Sequence, residues 1–383
     1  MSRKIRMGMV GGGQGAFIGA VHRMAALMDG QIELVCGAFS SDPEKSKASG
    51  ADLFLPSDRV YDSFEQMITS EKKLPADQRM DLVSIVTPNH VHFKPAAMAI
   101  QNGFHVICDK PLCYNLEEAY ELNNLVNHSD RIFALTHNYT GYPMVKQAKQ
   151  MVSSGDLGTI KKIVVEYPQG WLSTLLEASD QKQATWRTDP LRSGIAGAMG
   201  DIGTHAENLA EYITGLKISE LCADISTLVD GRKLDDDGNV LLRFENGARG
   251  ILYASQISAG EENNLRIRIY GEKGGLEWAQ MEPNTLVVRW ADRPVELLRT
   301  GGMGICKEAT AHTRIPAGHP EGYLEAFANI YRNVAKCIQA QISGVQVDPM
   351  YKDFPDIADG VRGMEFIYKV IESGKSEQKW IKL

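Results

Sequence analysis

The sequence lacks long apolar runs, concentrated basic charge and low-complexity tracts. No run approaches the roughly 18 apolar residues that suggest a membrane-spanning helix, and no basic start leads into an apolar leader. The net charge of −7 is not offset by a basic tract, which argues against a nucleic-acid partner. These absences predict a cytoplasmic protein whose partner is a small molecule, with no membrane or nucleic acid involved.

Paired cysteine motifs are also absent. The six cysteines are scattered along the chain without a C-x-x-C pair, at Cys36, Cys108, Cys113, Cys222, Cys306 and Cys337. Such spacing favours reduced and mostly buried thiols. His90 and His92 lie close together, but no array of cysteines or carboxylates accompanies them, so we expect no metal site.

The sequence does contain a glycine-rich segment near its start. The mostly apolar residues 5–10 predict a strand, and a helical pattern follows the glycines. Gly11 permits a tight turn, Gly13 lets the backbone approach a phosphate, and the small Ala16 allows close helix packing. The unpaired amides of the helix N-terminus then hold a pyrophosphate. This segment therefore predicts a dinucleotide site.

Strands and helices alternate from this segment to about residue 140. The further strands predicted in this region are 32–38, 82–86, 105–108 and 132–135. Their order is typical of an α/β Rossmann domain with a doubly wound parallel sheet, in which ligands bind beyond the carboxyl ends of the strands. Residues 87–89, 109–111 and 136–139 occupy three of those ends.

The pattern changes in the second part of the chain. A strand at 160–167, a loop at 170–200 and a helix at 201–213 precede several strands between 218 and 298. Asp237-Gly238 and Asn246-Gly247 predict tight hairpin turns. Helices at 321–342 and 356–373 close the chain. We therefore expect an NAD(P)-binding Rossmann domain at 1–140. A substrate-binding and oligomerisation domain at 141–383 is then α+β, with a large, mostly antiparallel open sheet that favours a homodimer or homotetramer.

Three residues carry the chemistry of alcohol oxidation. The ammonium of Lys110, at a strand end, can stabilise a developing alkoxide, although a surface lysine would give the same pattern. Asp201 and His205 are spaced i, i+4 and so share a helix face. His205 can take the hydroxyl proton while Asp201 orients the imidazole or the substrate, and Asp201 as a helix N-cap is the structural alternative.

Four motifs appear in a fixed order: the glycine loop, TPNHVH at 87–92, DKP at 109–111 and GDIGTH at 200–205. In this order the whole chain resembles the glucose–fructose oxidoreductase, inositol dehydrogenase and rhizopine-catabolism family. That resemblance implies an NAD(P)-dependent oxidoreductase acting on a sugar, a sugar derivative or an inositol. It also implies that Lys110, Asp201 and His205 converge on the substrate.

The cofactor contacts follow from the loop, the strand ends and the resemblance. We expect them at Gly11, Gly13, Gln14, Gly15, Ala16, Phe17, Ile18, Ser40, Ser41, Lys45, Thr87, Pro88, Asn89, His92, Asp109, Lys110, Pro111 and Asn138. The segment that begins at Thr87 can equally be a helix start capped by Asn89. The second strand ends without an acid before Asp42. Ser40 and Lys45 suit a 2′-phosphate, but Ser40 and Asp42 could equally serve a ribose hydroxyl, so NAD and NADP both stay open.

Aromatic and guanidinium groups suit a polyhydroxylated substrate. Beyond Lys110, Asp201 and His205, we expect substrate contacts at Tyr139, Trp186, Arg187 and His319, each with a structural alternative. The predicted reaction is reversible hydride transfer at a secondary alcohol. The rival hypotheses are an NAD-dependent glycosidase that oxidises its sugar transiently, and a non-catalytic sugar- or dinucleotide-binding regulator.

Overall fold

The computed structural model describes residues 3–179 and 181–383, and the chain forms two compact units. The first unit extends to Asn138 and also contains Tyr323–Val361. The second contains Tyr139–Gly322 and Arg362–Leu383. That residue 140 separates a cofactor-binding domain from a substrate-binding domain stays a prediction.

Strands and helices follow one another in two series. The first series is β1 (Ile5–Gly11), α1 (Phe17–Met28), β2 (Ile32–Ala38), α2 (Pro43–Asp52), α3 (Phe64–Lys73), β3 (Leu82–Val86), α4 (Phe93–Gln101), β4 (His105–Cys108), α5 (Leu116–Asn127) and β5 (Phe133–Leu135). The second is α6 (Pro143–Ser153), β6 (Ile160–Pro168), α7 (Lys182–Arg187), α8 (Pro190–Ser193), a π-helix (Met199–Gly203), α9 (Thr204–Thr214), β7 (Ile218–Ser226), β8 (Asp237–Phe244), β9 (Arg249–Ser255), β10 (Arg266–Gly271), β11 (Gly274–Ala279), β12 (Thr285–Trp290), β13 (Glu296–Arg299), α10 (Lys307–Ala311), α11 (Tyr323–Ser343), α12 (Ile357–Lys375) and β14 (Trp380–Lys382).

The first unit contains a five-stranded parallel sheet in the order β2-β1-β3-β4-β5. Strands β3, β4 and β5 are buried along their whole length, as expected for a parallel sheet covered on both faces. The strand order reverses between β1 and β3, where Gly11 pairs with Val86. This sheet confirms the predicted Rossmann architecture and puts the glycine loop at its switch point.

Helix α11 belongs to the first unit because its apolar face completes that core. Phe327 and Tyr331 are buried in one hydrophobic cluster with Ile5 and Met7 of β1 and with Val21 of α1. The sequence pattern assigned this helix to the second domain, since local periodicity shows that a helix is amphipathic but not which core it covers.

The second unit contains a nine-stranded sheet in the order β13-β12-β11-β10-β6-β9-β8-β7-β14. Neighbouring strands are antiparallel except for β6 and β9, which pair in parallel. Along β8, buried Val240 and Leu242 alternate with exposed Asn239 and Leu241, the pattern of a sheet covered on one face. The predicted open, mostly antiparallel sheet is confirmed.

One of the two predicted hairpin turns is correct. Gly247 has a φ of +87° in the turn between β8 and β9, where its amide donates to Phe244 O at 2.9 Å. Asp237-Gly238 is not a turn, because both residues pair with β7 inside β8. Gly238 is needed there for packing, since a Cβ would lie 2.5 Å from Met199 Sδ.

None of the helices within residues 3–179 and 181–383 combines the length and apolar character needed to cross a bilayer.

Candidate active site

The glycine loop folds tightly between β1 and α1. Gly11 adopts a φ of +80°, and the Gly13 amide donates to Phe39 O at 3.2 Å. Close packing between the loop and α1 occurs at Gly19, because a Cβ there would lie 2.3 Å from Gly12 Cα; the packing role of Ala16 stays a prediction. At Gly13 a Cβ would lie 2.6 Å from Ser49 Oγ, so this glycine is also required by the loop's own packing.

The N-terminus of α1 suits an anion. Its N-cap, Ala16, forms no side-chain cap hydrogen bond, and no acidic residue occupies its first turn. The first amides of this helix therefore have no acceptor from their own cap, and together with the helix dipole they fit a pyrophosphate. Gln14 is oriented by α2, since its Nε2 donates to Asp52 Oδ2 at 2.7 Å. Phe17 is 63% exposed beside it.

The first acid after β2 has a structural role. Asp42 caps α2, accepting from the amides of Glu44 at 3.1 Å and Lys45 at 3.4 Å. Ser40 Oγ accepts from the Asp42 amide at 3.1 Å. Ser41 and Lys45 are exposed. Because the Asp42 carboxylate is committed to the helix, the Ser40 hydroxyl is the better placed of the two for a ribose.

Two predicted cofactor residues at strand ends hold buried polar atoms. Thr87 Oγ1 and Asn138 Nδ2 are both inaccessible and have no hydrogen-bond partner among the described residues. Such atoms are rare in native proteins because leaving them unpaired is costly. Their positions after β3 and after β5, at the carboxyl edge of the sheet, fit a dinucleotide that supplies the missing partners.

His92 links two of the loops at this edge. Its Nδ1 lies 2.9 Å from Pro111 O and its Nε2 lies 2.8 Å from Thr87 O, so both ring nitrogens face backbone carbonyls. Burial lowers the pKa of His92 below its usual value. His92 is also the N-cap of α4, so the expectation that Asn89 caps this helix is wrong. Asn89 is buried in a short 3₁₀ helix that follows Pro88.

Asp109 and Lys110 follow β4. Asp109 Oδ1 accepts from the Lys110 amide at 3.0 Å and from Thr136 Oγ1 at 2.7 Å. Burial opposes the ionisation of Asp109, but His22, Lys110 and Thr136 together hold its pKa well below the usual range. Burial and the nearby Lys110 charge also lower the pKa of His137 to about 3. The Lys110 charge therefore acts on an ionised carboxylate and on a neutral imidazole. Its peptide bond to Pro111 is cis.

In the second unit, the GDIGTH motif begins in a π-helix. The predicted α-helix from residue 201 starts only at Thr204, and Asp201 lies in the π-helical turn before it. The N-cap of α9 is Gly203 without a side-chain bond, so the alternative role of Asp201 as that cap is wrong. Buried Asp235 holds the entry to this turn, accepting from the amides of Gly197 at 2.6 Å and Met199 at 2.8 Å. π-helical turns of this kind are frequent at functional sites.

Two side chains from other parts of the unit contact the carboxylate of Asp201. Gln256 Nε2 donates to Asp201 Oδ2 at 2.9 Å, and Arg187 Nε lies 3.3 Å from the same oxygen. The Arg187 guanidinium also stacks 4.3 Å from the centre of the Trp186 ring. The structure therefore brings together three of the predicted residues of this unit, namely Asp201, Arg187 and Trp186.

His205 lies among aromatic rings. It is buried on α9, and the Tyr139 ring meets its imidazole edge-on with the centroids 4.8 Å apart. The Tyr139 hydroxyl is hydrogen-bonded to Tyr167 and accepts from Asn263 Nδ2 at 3.1 Å. Burial raises the pKa of Tyr139 to about 12, so its hydroxyl stays protonated at neutral pH.

Sequence reasoning missed a group of side-chain amides in this unit. Gln169 Nε2 and the Tyr167 hydroxyl both donate to Asn263 Oδ1 at 2.7 Å. Trp171 Nε1 donates to Gln169 Oε1 at 3.0 Å. We call Gln169, Gln256 and Asn263 the amide group. Single amides in the loops beside strands form no motif and no periodicity, so the sequence carries no signal for them.

His319 lies in the loop before α11. Its side chain is exposed, and Nδ1 lies 3.1 Å from Pro316 O. The helix that follows begins at Tyr323 rather than at residue 321. A substrate role for His319 stays a prediction.

Comparison with protein families gives two matches. The model described as an oxidoreductase family with an NAD-binding Rossmann fold, GFO_IDH_MocA, matches residues 5–137. The model of the GFO/IDH/MocA C-terminal domain matches residues 145–277. Among curated proteins, the uncharacterized oxidoreductase YfiI of Bacillus subtilis is 33% identical, over 100% of this chain and 97% of its own length.

Solved structures give matches over the whole chain. An oxidoreductase from Sinorhizobium meliloti is 46% identical, with a TM-score of 0.90, covering 99% of this chain and 100% of its own. An inositol dehydrogenase homologue from Azotobacter vinelandii, solved with NAD+, is 32% identical with a TM-score of 0.94, covering 100% and 98% respectively. The same homologue has also been solved with NADH and myo-inositol.

Proposed function

The chain belongs to the GFO/IDH/MocA family of NAD-binding oxidoreductases, and from that premise we propose that it is a dehydrogenase of a cyclic polyol or sugar. The reaction is reversible hydride transfer at a secondary alcohol carbon. The Azotobacter vinelandii homologue, solved with NADH and myo-inositol, supports this substrate class.

One observation carries the substrate class: a guanidinium and a side-chain amide both contact the Asp201 carboxylate. Gln256 and Arg187 both reach Asp201 Oδ2, and the remaining members of the amide group, Gln169 and Asn263, bond to one another. Carboxylate, guanidinium and amide groups together offer donors and acceptors in many directions. A substrate with several hydroxyls can exchange hydrogen bonds with such an array, whereas an apolar alcohol could not.

The chain supplies proton handling and charge. NAD, when bound, supplies the acceptor for the hydride. His205 takes the hydroxyl proton on its imidazole, and Asp201 with Arg187 orients the hydroxyls of the substrate. Lys110 stabilises negative charge on the reacting oxygen. Lys110 and His205 belong to different units, and the family resemblance together with the chemistry of each side chain supports their joint assignment.

We propose NAD as the working cofactor. Thr87 and Asn138 hold the nicotinamide side, the amides at the start of α1 hold the pyrophosphate, and the Ser40 hydroxyl serves the ribose. Exposed Lys45 makes NADP the alternative to measure. Asp42 is excluded as the ribose ligand in this proposal because it caps α2.

The test is a spectrophotometric screen for reduced nicotinamide. NAD and NADP are each paired with inositols, aldoses, anhydro sugars and glycosides. Net NADH formation from a free polyol supports the proposal. Glycoside cleavage without net NADH would identify the glycosidase, and tight NAD binding without turnover of any compound would identify a regulator.

The role of His205 is tested on the substrate that the screen identifies. His205→Asn should lower kcat by about 10²- to 10⁴-fold, the usual contribution of a general base. His128→Asn is the matched control, because His128 is exposed on the first unit and its Nδ1 bonds to Asn124 O of its own helix. Equal kcat values in the two variants would refute the assignment.

A further inference from the structure

A chain of buried polar groups crosses the core of the first unit. His22, on α1, is 0% exposed, and its Nδ1 lies 2.7 Å from the Tyr331 hydroxyl of α11. That hydroxyl lies 2.8 Å from Ser84 Oγ, in the middle of β3. The rings of Phe327 and Tyr331 pack at 5.0 Å and 5.8 Å from the imidazole. The Nδ1 edge of His22 is therefore hydrogen-bonded inside the core.

The other side of the imidazole faces the residue that precedes the candidate catalytic lysine. His22 Nε2 lies 3.8 Å from Asp109 Oδ1 and has no hydrogen-bond partner among the described residues. The same Asp109 oxygen accepts from the Lys110 amide and from Thr136 Oγ1. One carboxylate oxygen thus connects His22 to the backbone of Lys110.

A purely structural histidine explains this arrangement poorly. An apolar side chain would fill the space among the aromatic rings without burying two polar nitrogens, which is costly unless they are used. The Nε2 edge points instead at a carboxylate whose ionised form the surroundings stabilise. The Asp109 side chain is only 16% exposed, so water competes little with this attraction.

We propose that His22 is a positioning residue for Lys110, acting through Asp109. By holding Asp109 Oδ1 in place, His22 fixes both the Lys110 amide and the negative charge beside its ammonium. Helix α1 begins at the glycine loop, so one helix both presents amides for the cofactor and orients the lysine. The effect of His22 on activity rests on the proposed function, whereas its effect on Lys110 does not.

The variants separate the two edges of the imidazole. His22→Asn keeps a polar group near the Nδ1 position but removes the edge that faces Asp109. His22→Gln restores an amide near the Nε2 position and is the conservative rescue. Tyr331→Phe is the matched control, because it removes the hydroxyl from Nδ1 and Ser84 while leaving Nε2 and Asp109 untouched.

The first measurement needs no substrate. Lysine-directed acylation at pH 8, followed by peptide mass spectrometry, gives the labelling rate of Lys110, with exposed Lys182 in the same digest as the internal standard. His22→Asn should change the Lys110 rate at least threefold, because the charge beside the ammonium is no longer held. Tyr331→Phe and His22→Gln should stay within twofold of the wild type. Equal Lys110 rates in all four proteins would overturn the inference.

The second measurement uses the substrate found in the screen. His22→Asn should lower kcat at least tenfold and shift the acid limb of its pH profile, with KM for NAD changed less than threefold. Tyr331→Phe should keep the wild-type pH profile even where urea unfolding shows an equal loss of stability. A shift of the profile in Tyr331→Phe as large as in His22→Asn would show a structural role only. If no polyol is turned over, the proposed function fails while the labelling result still decides the role of His22.

Discussion

Gly19→Ala tests the packing that shapes the cofactor loop. A Cβ at Gly19 would lie 2.3 Å from Gly12 Cα and 2.5 Å from Gly12 O, where ordinary contact begins at 3.4 Å. Both contacts are with backbone, which cannot rotate away, so α1 and the loop must separate by about 1 Å, the kind of shift that overpacking forces. The amides at the start of α1 then leave their positions for the pyrophosphate.

Stability and affinity should respond differently to this change. Overpacking costs roughly 1–3 kcal/mol, while alanine in place of a helical glycine regains about 1 kcal/mol, so the net loss of unfolding free energy is about 0–2 kcal/mol. Losing one charge-assisted hydrogen bond to the pyrophosphate costs about 1.5–3 kcal/mol. We therefore expect NAD to bind about 10- to 100-fold more weakly, since each 1.4 kcal/mol is tenfold.

Calorimetric titration with NAD and urea unfolding of the free protein measure the two quantities. Ala20→Gly is the matched control, because it weakens the same helix by about 1 kcal/mol without adding an atom near Gly12. Its NAD affinity should stay within about threefold of the wild type, as for mutations that change stability alone. An NAD affinity in Gly19→Ala equal to that of Ala20→Gly would refute the packing argument.

Two further predictions concern buried titratable groups. The two carboxylate oxygens of Asp235 accept from the amides of Gly197 and Met199, and Asp235→Asn replaces one of these oxygens by an NH2 group. Urea unfolding should therefore show a loss of unfolding free energy of about 1–3 kcal/mol. An unchanged unfolding free energy would contradict this anchoring role. Burial lowers the pKa of His105 to about 4 in the folded protein. As the pH falls below about 6.5, the histidine of the unfolded chain therefore binds a proton before that of the folded protein does. The free energy of unfolding should drop by up to about 3 kcal/mol between that pH and 4. His105→Gln should remove this dependence of the unfolding free energy on pH. If the variant keeps the slope of the wild type, another group is responsible for it.

Buried strands were predictable because their signal is local. The bounds of β2, β3 and β4 agree with the apolar runs at 32–38, 82–86 and 105–108. A strand covered on both faces is a nearly continuous apolar run, so its sequence marks its ends. The same argument located the strand ends that carry Thr87 and Asp109.

Other features depend on partners far along the chain. Gly238 resembles a turn residue, yet its lack of a side chain makes room for Met199 Sδ. His22 reads as one more residue of an amphipathic helix, and only its distances to Tyr331 and Asp109 show the polar chain. Gln256 and Asn263 gain meaning from the residues that they meet, which no spacing in the sequence encodes.

The first unit is built from two segments that lie far apart in the chain, and this affects how it folds during synthesis. Its parallel sheet is complete by Leu135, but its core also needs Phe327 and Tyr331 of α11. At roughly 5–20 residues per second, a ribosome needs about 10–40 s to produce the intervening segment. Throughout that interval α1 lacks the residues of α11 with which it is buried in the folded unit. A truncated gene ending near residue 140 should accordingly yield insoluble product, whereas supplying residues 323–361 as a separate peptide should restore its solubility.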